Sequence, residues 1–167
     1  MEDLFSETLI KKKRTAKDLA AWLPLFCLGV LLLIGGLLVH PLLLLAGAAA
    51  AGLGIWLQRR HNIEYEYAYV NGQLDIDCIY ARTSRRRLAS YDLRQMEVMA
   101  PLGSEFLARS GGGNLRTADY TSGEEAERDR VYAVILPHEG ATVRVLFQPT
   151  EAMKKDIRMR APSKVHL

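Results

Sequence analysis

Residues 63–80 read IEYEYAYVNGQLDIDCIY. Ile63, Tyr65, Tyr67 and Tyr69 alternate with Glu64, Glu66 and Ala68, the period of two that sends successive side chains to opposite faces of a strand, and the aromatic residues favour strand as well. Asn71-Gly72 is the strongest short hairpin signal, because a type I′ turn needs positive φ at both central residues. That turn fixes the register. Val70 faces Gln73, Tyr69 faces Leu74, Tyr67 faces Ile76, Tyr65 faces Cys78 and Ile63 faces Tyr80, whereas Ala68 meets Asp75 and Glu66 meets Asp77 on the other face. Both strands therefore agree on which side is core.

The hairpin starts a few residues after a run with no charge. From Leu19 to Leu57 there is no Asp, Glu, Lys or Arg; all 22 basic and 19 acidic residues lie outside it. A helix rises ~1.5 Å per residue and needs ~20 residues to cross ~30 Å of hydrocarbon, so a run of about 39 residues fits two spans. His40-Pro41 near its middle predicts a tight turn between helices 19–39 and 42–57, because proline lacks an N–H and disfavours helix in the residue before it. Trp22 and Trp56 fall at the same end of such a hairpin, at interfacial depth. Lys11, Lys12, Lys13, Arg14 and Lys17 precede the first span, Arg59 and Arg60 follow the second, and the turn carries no Lys or Arg. The positive-inside rule then puts both termini in the cytoplasm. A cleaved signal peptide would need an apolar region of ~7–15 residues, far shorter than this run. Gly47, Ala48, Ala51, Gly52 and Gly54 predict a small-residue face on the second span, for packing on the first span or for dimerisation.

Residues 1–18 form a basic N-terminal segment with Leu4, Phe5, Leu9 and Ile10 as apolar positions, either an amphipathic surface helix or a plain tail. After the hairpin, residues 58–167 predict a cytoplasmic β domain. Strands are expected at 88–92, 95–99, 131–136 and 142–147, the last two joined across Pro137-His-Glu-Gly140, with a helix over 150–159 capped by Thr150. Residues 102–130, with the glycine triplet at Gly111–Gly113, read as a mobile loop with a short strand near 115–120. The fold class is α+β: a two-helix transmembrane hairpin, then an antiparallel sheet or partial barrel with a C-terminal helix.

Strand geometry returns the turn after Tyr80 to the end at which the domain is entered, so Arg82, Arg85, Arg86 and Arg87 are expected to join Lys11, Lys12, Lys13, Arg14, Arg59 and Arg60 in a basic collar. Two readings stay open: anionic headgroup binding, or topology signals and strand-edge charges paired with Glu64, Glu66 or Asp77. Asp75 and Asp77 share a strand face but have no third ligand nearby, so no metal is expected. His40, His61, His138 and His166 are dispersed, without metal spacing or a nucleophile motif beside them, and the glycine triplet lacks the Lys-Ser/Thr of a phosphate loop. No catalytic residue and no cofactor is expected. Cys27 and Cys78 read as reduced, small apolar residues. Seventeen basic against fifteen acidic residues after Leu57 excludes a nucleic-acid binder.

The opening MEDLFSETLIKKKRTAKD, the hairpin EYEYAYVNGQLDID, the segment DYTSG and the ending LFQPTEAMKKDIRMRAPSKV resemble an uncharacterised family of small two-span membrane proteins from Gram-positive anaerobic bacteria. More loosely, the order of elements resembles bacterial pleckstrin-homology-like membrane proteins. The resemblance implies this architecture, in a bacterial cell membrane, and transfers no functional residue. The function expected is that of a membrane-anchored, non-enzymatic adaptor or scaffold binding lipid headgroups or another membrane protein. The alternatives are a structural subunit of a larger membrane complex, or a membrane-bound enzyme using Asp75, Asp77 and the 102–130 loop.

Overall fold

Thr15 opens the helical part of the molecule. Its hydroxyl accepts from the Asp18 backbone N–H while the Asp18 carboxylate accepts from Thr15 N–H at 2.8 Å, a reciprocal cap that starts helix α1, Ala16–Leu38. A computed structural model describes residues 5–110 and 115–167. Helix α2, Leu42–Arg60, follows the predicted His40-Pro41 turn, in which His40 Nδ1 accepts from Leu42 N–H at 3.3 Å. Both helices begin or end a turn beyond the uncharged run, and α1 runs through Pro24. They are long and apolar enough to cross a membrane.

The side chains buried within these helices are glycines: Gly29 and Gly36 in α1, Gly47 and Gly54 in α2. A Cβ at Gly29 would stand 2.4 Å from Ala51 N, and one at Gly47 would stand 2.7 Å from Leu33 N, so the backbones approach as closely as glycine permits. Leu31, Leu37, Leu38, Val39, Leu42 and Leu45, by contrast, are 66–80% exposed. Of the small residues expected on the inner face of α2, Gly47 and Gly54 lie there and Ala51 meets Gly29, but Gly52 faces open space. At the open end the Asp18 carboxylate lies 3.1 Å from His61 Nδ1, joining the start of α1 to the residue that caps α2. The helices form one compact unit, residues 14–63, together with residues 80–84. In it Ala81 N–H donates to Asn62 O at 2.8 Å.

The other unit is a β domain of two four-stranded sheets. In the first, the order is β1 (Phe5–Lys11), β2 (Ile63–Val70), β3 (Gln73–Tyr80), β4 (Ser84–Asp92). Phe5–Lys11 of the N-terminal segment, in which Leu4 lies outside the described residues, is therefore a strand, not a surface helix or a tail. It pairs antiparallel with β2 from Phe5↔Val70 to Lys11↔Glu64, which covers an edge that β2 would otherwise leave open. The second sheet runs β5 (Val98–Pro101), β7 (Tyr132–His138), β8 (Ala141–Phe147), β6 (Arg116–Asp119). Strand β6 lies parallel to β8, the departure from the antiparallel sheet expected. Helix α4, Glu151–Arg160, opens at the predicted cap, with Met153 N–H donating to Thr150 Oγ1 at 3.2 Å.

The tyrosine row lines the core: Tyr65, Tyr67 and Tyr69 are buried, with Leu74, Ile76 and Cys78 from the facing strand and Phe147, Met153 and Ile157 from the far side of the domain. The 102–130 segment is more ordered than a loop. It holds helix α3 (Glu105–Ser110), β6 and a 3-10 helix at Glu125–Arg130, and Leu107 of α3 packs a second cluster with Val98, Ala100, Ala133 and Ile135 on the other face of the second sheet. Gly111–Gly113 lie outside the described residues. Val98–Ala100 and Val131–Leu136 are apolar at every position, the pattern of strands covered on both faces, and α3 is what covers the second. The C-terminal residues close the β5 edge, with Met99 N–H donating to Lys164 O and His166 N–H to Met99 O.

Gly29→Val or Gly47→Val forces the helices apart and should lower the thermal midpoint of the full chain in mild detergent, followed by tryptophan fluorescence. Gly52→Ala meets nothing and should raise it, helix propensity favouring alanine by about 1 kcal/mol.

Candidate functional site

Three tight turns join paired strands, each through two residues of positive φ: Asn71 (51°) and Gly72 (89°), Ala81 (49°) and Arg82 (60°), Glu139 (49°) and Gly140 (81°). Asparagine and glycine adopt this region readily; alanine and arginine do so at a cost of roughly 1–2 kcal/mol each. The Ala81–Arg82 turn, closed by Thr83 N–H to Tyr80 O at 3.0 Å, holds one of the ten candidate cations.

Those ten divide between the two units. Arg14, Arg59, Arg60 and Arg82 belong to the helical unit, where the Arg60 guanidinium lies 4.9 Å from the centre of the Trp56 ring. Lys11, Lys12, Lys13, Arg85, Arg86 and Arg87 belong to the β domain. Lys11 stands opposite Glu64, Lys12 lies 5.8 Å from the centre of the Tyr65 ring, and the Lys13 backbone N–H donates to Ser122 O at 2.7 Å.

The arginine run on β4 is committed to carboxylates. Arg85 Nε donates to Asp77 Oδ2 at 2.6 Å, and its Nη2 stands 3.0 Å from Glu66 Oε2, at ion-pair distance without hydrogen-bond alignment. Arg87 lies 3.0 Å from Asp75 and 3.6 Å from Asp77. Glu66 and Asp77 are less than 10% exposed even though they lie on the polar face of their strands, because these arginines lie over them. Arg85 and Arg87 thus make carboxylate pairs of the kind that one of their two readings expects. Asp75 and Asp77 are likewise ion-paired, and among the described residues no three His, Cys, Asp or Glu gather in a metal-holding group. The four histidines stay apart: His61 meets Asp18, His138 meets the Tyr91 ring, His166 stacks on Phe106, and His40 caps the interhelical turn.

The segment DYTSG, residues 119–123, is a hub that its composition did not announce. Tyr120 O accepts from the Tyr67 hydroxyl at 2.6 Å, the Tyr120 and Tyr91 hydroxyls bond at 2.9 Å, Ser122 O holds Lys13, and Ser122 N–H and Oγ donate to Gln148 and Glu127. Burial first, then the bond to Tyr120, holds the Tyr91 hydroxyl well above its ordinary pKa; burial does the same at Tyr67. The Tyr67 hydroxyl is the donor in its bond, whereas between Tyr91 and Tyr120 either hydroxyl can donate. A second chain runs from the buried Tyr69 hydroxyl to Asp156 at 2.6 Å, Arg160 to the same carboxylate oxygen at 2.6 Å, and out to the surface from Arg160 to Asn71 at 3.0 Å, tying α4 to the first turn. Burial pushes the Asp156 carboxyl up, and the hydrogen bonds from Arg160 and Tyr69 outweigh it, leaving it below its usual range.

Several small hollows are present in the β domain. One of about 310 Å³ lies among Thr8, Ile10, Gln148, Thr150 and Lys154, and one of about 80 Å³ lies among Tyr69, Leu93, Met96 and Ile157. The chemistry on offer is ionic: a ladder of arginines and carboxylates on the first sheet of the β domain, and a net positive charge on the helical unit. The chain matches the family model described as bacterial PH-like domain (DUF6106) over residues 2–167. No curated protein and no solved structure matches it.

Arg85→Gln takes the cation from Glu66, leaves Asp77 with Arg87 alone at 3.6 Å, and should lower the melting midpoint clearly in calorimetry. Arg86→Gln, at an exposed position, should leave it within about 2 °C. Acid should act partly through Asp92, whose carboxyl is held at about 2 by the Arg94 guanidinium first and by Gln95 and a backbone N–H besides. A depressed carboxyl stabilises the fold above its unfolded pKa, and that contribution is lost as pH falls from 3.8 towards 2. Denaturant midpoints of Asp92→Asn should accordingly fall less steeply than those of the wild type across that window.

Proposed function

The chain belongs to the bacterial PH-like domain family, and from that premise we propose that it is a membrane-anchored, non-enzymatic adaptor or scaffold. Its helical hairpin spans a bacterial cell membrane, both termini lie in the cytoplasm, and the β domain is displayed there to engage lipid headgroups or a membrane-protein partner. The observation that carries this is the inverted packing of α1 and α2. A helical pair stable in water buries its leucines; this one buries glycines and turns its leucines outward. Such packing suits hydrocarbon, in which large apolar side chains gain nothing from meeting one another and close backbone approach supplies the attraction. Orientation follows from charge, because the basic residues flank the outer ends of the helices and none lies in the turn.

The non-enzymatic part of the reading is supported by the engagement of Asp75 and Asp77 in ion pairs, which occupies the carboxylates that a membrane-bound enzyme would use. A structural subunit of a larger membrane complex is a second reading, and Gly52 favours it. It is a helix-weakening residue on the outer face of α2, with no neighbour inside the molecule to require it.

In a chain lacking Cys27 and Cys78, single cysteines at position 40 and near the C-terminus should react differently with an impermeant maleimide in intact cells. Labelling is expected at position 40 alone. Labelling of the C-terminal position from outside would reverse the orientation and move the β domain to the other side.

A further inference from the structure

Strand β1 is the outer member of the first sheet, and among the described residues no further strand pairs with its open side. Lys13, two residues past its end, is the first to bond elsewhere, its N–H donating to Ser122 O. Alternation divides the strand between two faces. Glu7, Leu9 and Lys11 lie opposite Ala68, Glu66 and Glu64 on the polar face, whereas Thr8 and Ile10 lie opposite Tyr67 and Tyr65 on the core face. Leu9 contradicts its surroundings, being 60% exposed although it stands beside Glu66 in the sheet. Glu7 and Lys11 are exposed on either side of it. Glu7 lies in the field of Arg85, but among the described residues neither Glu7 nor Lys11 enters an ion pair.

An exposed strand edge accepts another strand, and proteins generally blunt such edges. Here the β5 edge is closed by residues 164–166, and β4 carries Arg85–Arg87, which would set arginine against arginine if that strand met its own copy antiparallel about Arg86. Strand β1 has the opposite pattern. An antiparallel pair related by a two-fold axis through Leu9 places Leu9 opposite Leu9 of the second copy, with Glu7 opposite Lys11 at one end and Lys11 opposite Glu7 at the other, all on one face. On the other face Thr8 meets Ile10 twice, and both line the hollow of about 310 Å³, which leaves room beside Thr8 for Ile10 of the second copy. Centring the axis on Thr8 instead sets Glu7 against Leu9, and centring it on Ile10 sets Leu9 against Lys11. The register about Leu9 is thus the one that matches opposite charges and leucine with leucine.

We infer that β1 is a self-association edge: two copies of this chain pair through residues 7–11 in that register, with a Leu9 contact flanked by two Glu7–Lys11 ion pairs, and join their first sheets into one continuous sheet. The strand belongs to the β domain, so the inference goes beyond the membrane-anchored reading and does not depend on it.

Disulfide trapping tests it on the full chain, with Cys27 and Cys78 replaced, in intact cells treated with a membrane-permeant thiol oxidant. Residues directly opposite in an antiparallel pair have Cα atoms about 4.5–5.5 Å apart, within disulfide reach. Leu9→Cys should therefore give a dimer on a non-reducing gel, and so should co-expressed Glu7→Cys and Lys11→Cys chains. Glu7→Cys alone should give several-fold less, because its twin lies four residues along the strand, roughly 13 Å away. In the Leu9→Cys chain, Glu7→Lys should lower the dimer several-fold, and adding Lys11→Glu should restore it. Within one strand those two positions are too far apart to pair with each other, so the rescue reads contact between copies. Thermal midpoints of the same variants separate loss of fold from loss of pairing, and should the charge variants fail to fold, the mixed cysteine chains decide alone. A Leu9→Cys dimer no stronger than that of Glu7→Cys, no product from the mixed chains, or a folded Glu7→Lys chain that keeps its dimer would each overturn the inference. A Leu9→Cys adduct whose mass is not twice that of the chain would overturn it in favour of a different protein at this edge.

Discussion

The pairing of β1 with β2 is the constraint on which the rest of the architecture depends. These strands are neighbours in one sheet, yet 51 residues separate Lys11 from Ile63, and the helical hairpin is what lies between them. With Lys11 in register with Glu64, the chain leaves the sheet and re-enters it one strand spacing away. Whatever is inserted there must begin and end at nearly the same place. A single helix of either length observed here could not satisfy that condition, and a closed pair can. The reciprocal cap at Thr15 and the Asp18–His61 contact close the pair at that end, and the glycines that let α1 and α2 approach keep it closed along its length.

How much of this could be read from sequence depended on whether a local signal existed. The β2–β3 hairpin was legible because Asn71-Gly72 fixes a turn type and the alternation on both sides agrees with it. The two helices and their turn were legible because forty uncharged residues and one central proline leave few options. Strand β1 was not, since its partner lies more than fifty residues away and its lysines also serve as orientation signals, which drew attention from the alternation in FSETLIK. The 102–130 segment hid α3 behind polar, glycine-bearing sequence. Its evidence lay elsewhere, in the unbroken apolar run of β7, which demands a cover on both faces.

The candidate site was legible as a set of residues and illegible as a set of roles. Ten cations near the chain's entry to and exit from the helices are visible to anyone counting charge; which of them are already matched depends on geometry. Arg85 and Arg87 alternate along β4 in step with Asp75 and Asp77 on β3, so they lie across the same face and close over the acids. Arg82, three residues earlier, sits in a turn belonging to the other unit. A run that looks uniform in sequence is therefore divided between two units, and the division falls at a turn that no turn-forming residue marks.

Positions at which a residue contradicts its local environment are the most informative in such a molecule, because a foldable sequence is otherwise consistent from one level to the next. Gly29, Gly36, Gly47 and Gly54 weaken their helices and are accounted for by the backbone that each one faces. Asn71-Gly72 meets the demand of its turn and Glu139-Gly140 half of it, Glu139 bearing positive φ without the freedom of asparagine or glycine. Ala81 and Arg82 do not, and Gly52 weakens a helix beside empty space. These exceptions fall in the helical unit, while the β domain satisfies its tyrosine hydroxyls, its buried Asp156 and its arginine ladder internally. Gly52, exposed on α2, is in keeping with the proposal that the helical unit meets molecules outside the chain. The inverted packing of its helices leads to the same conclusion from an independent direction, since leucines turned outward are stable only where something apolar receives them.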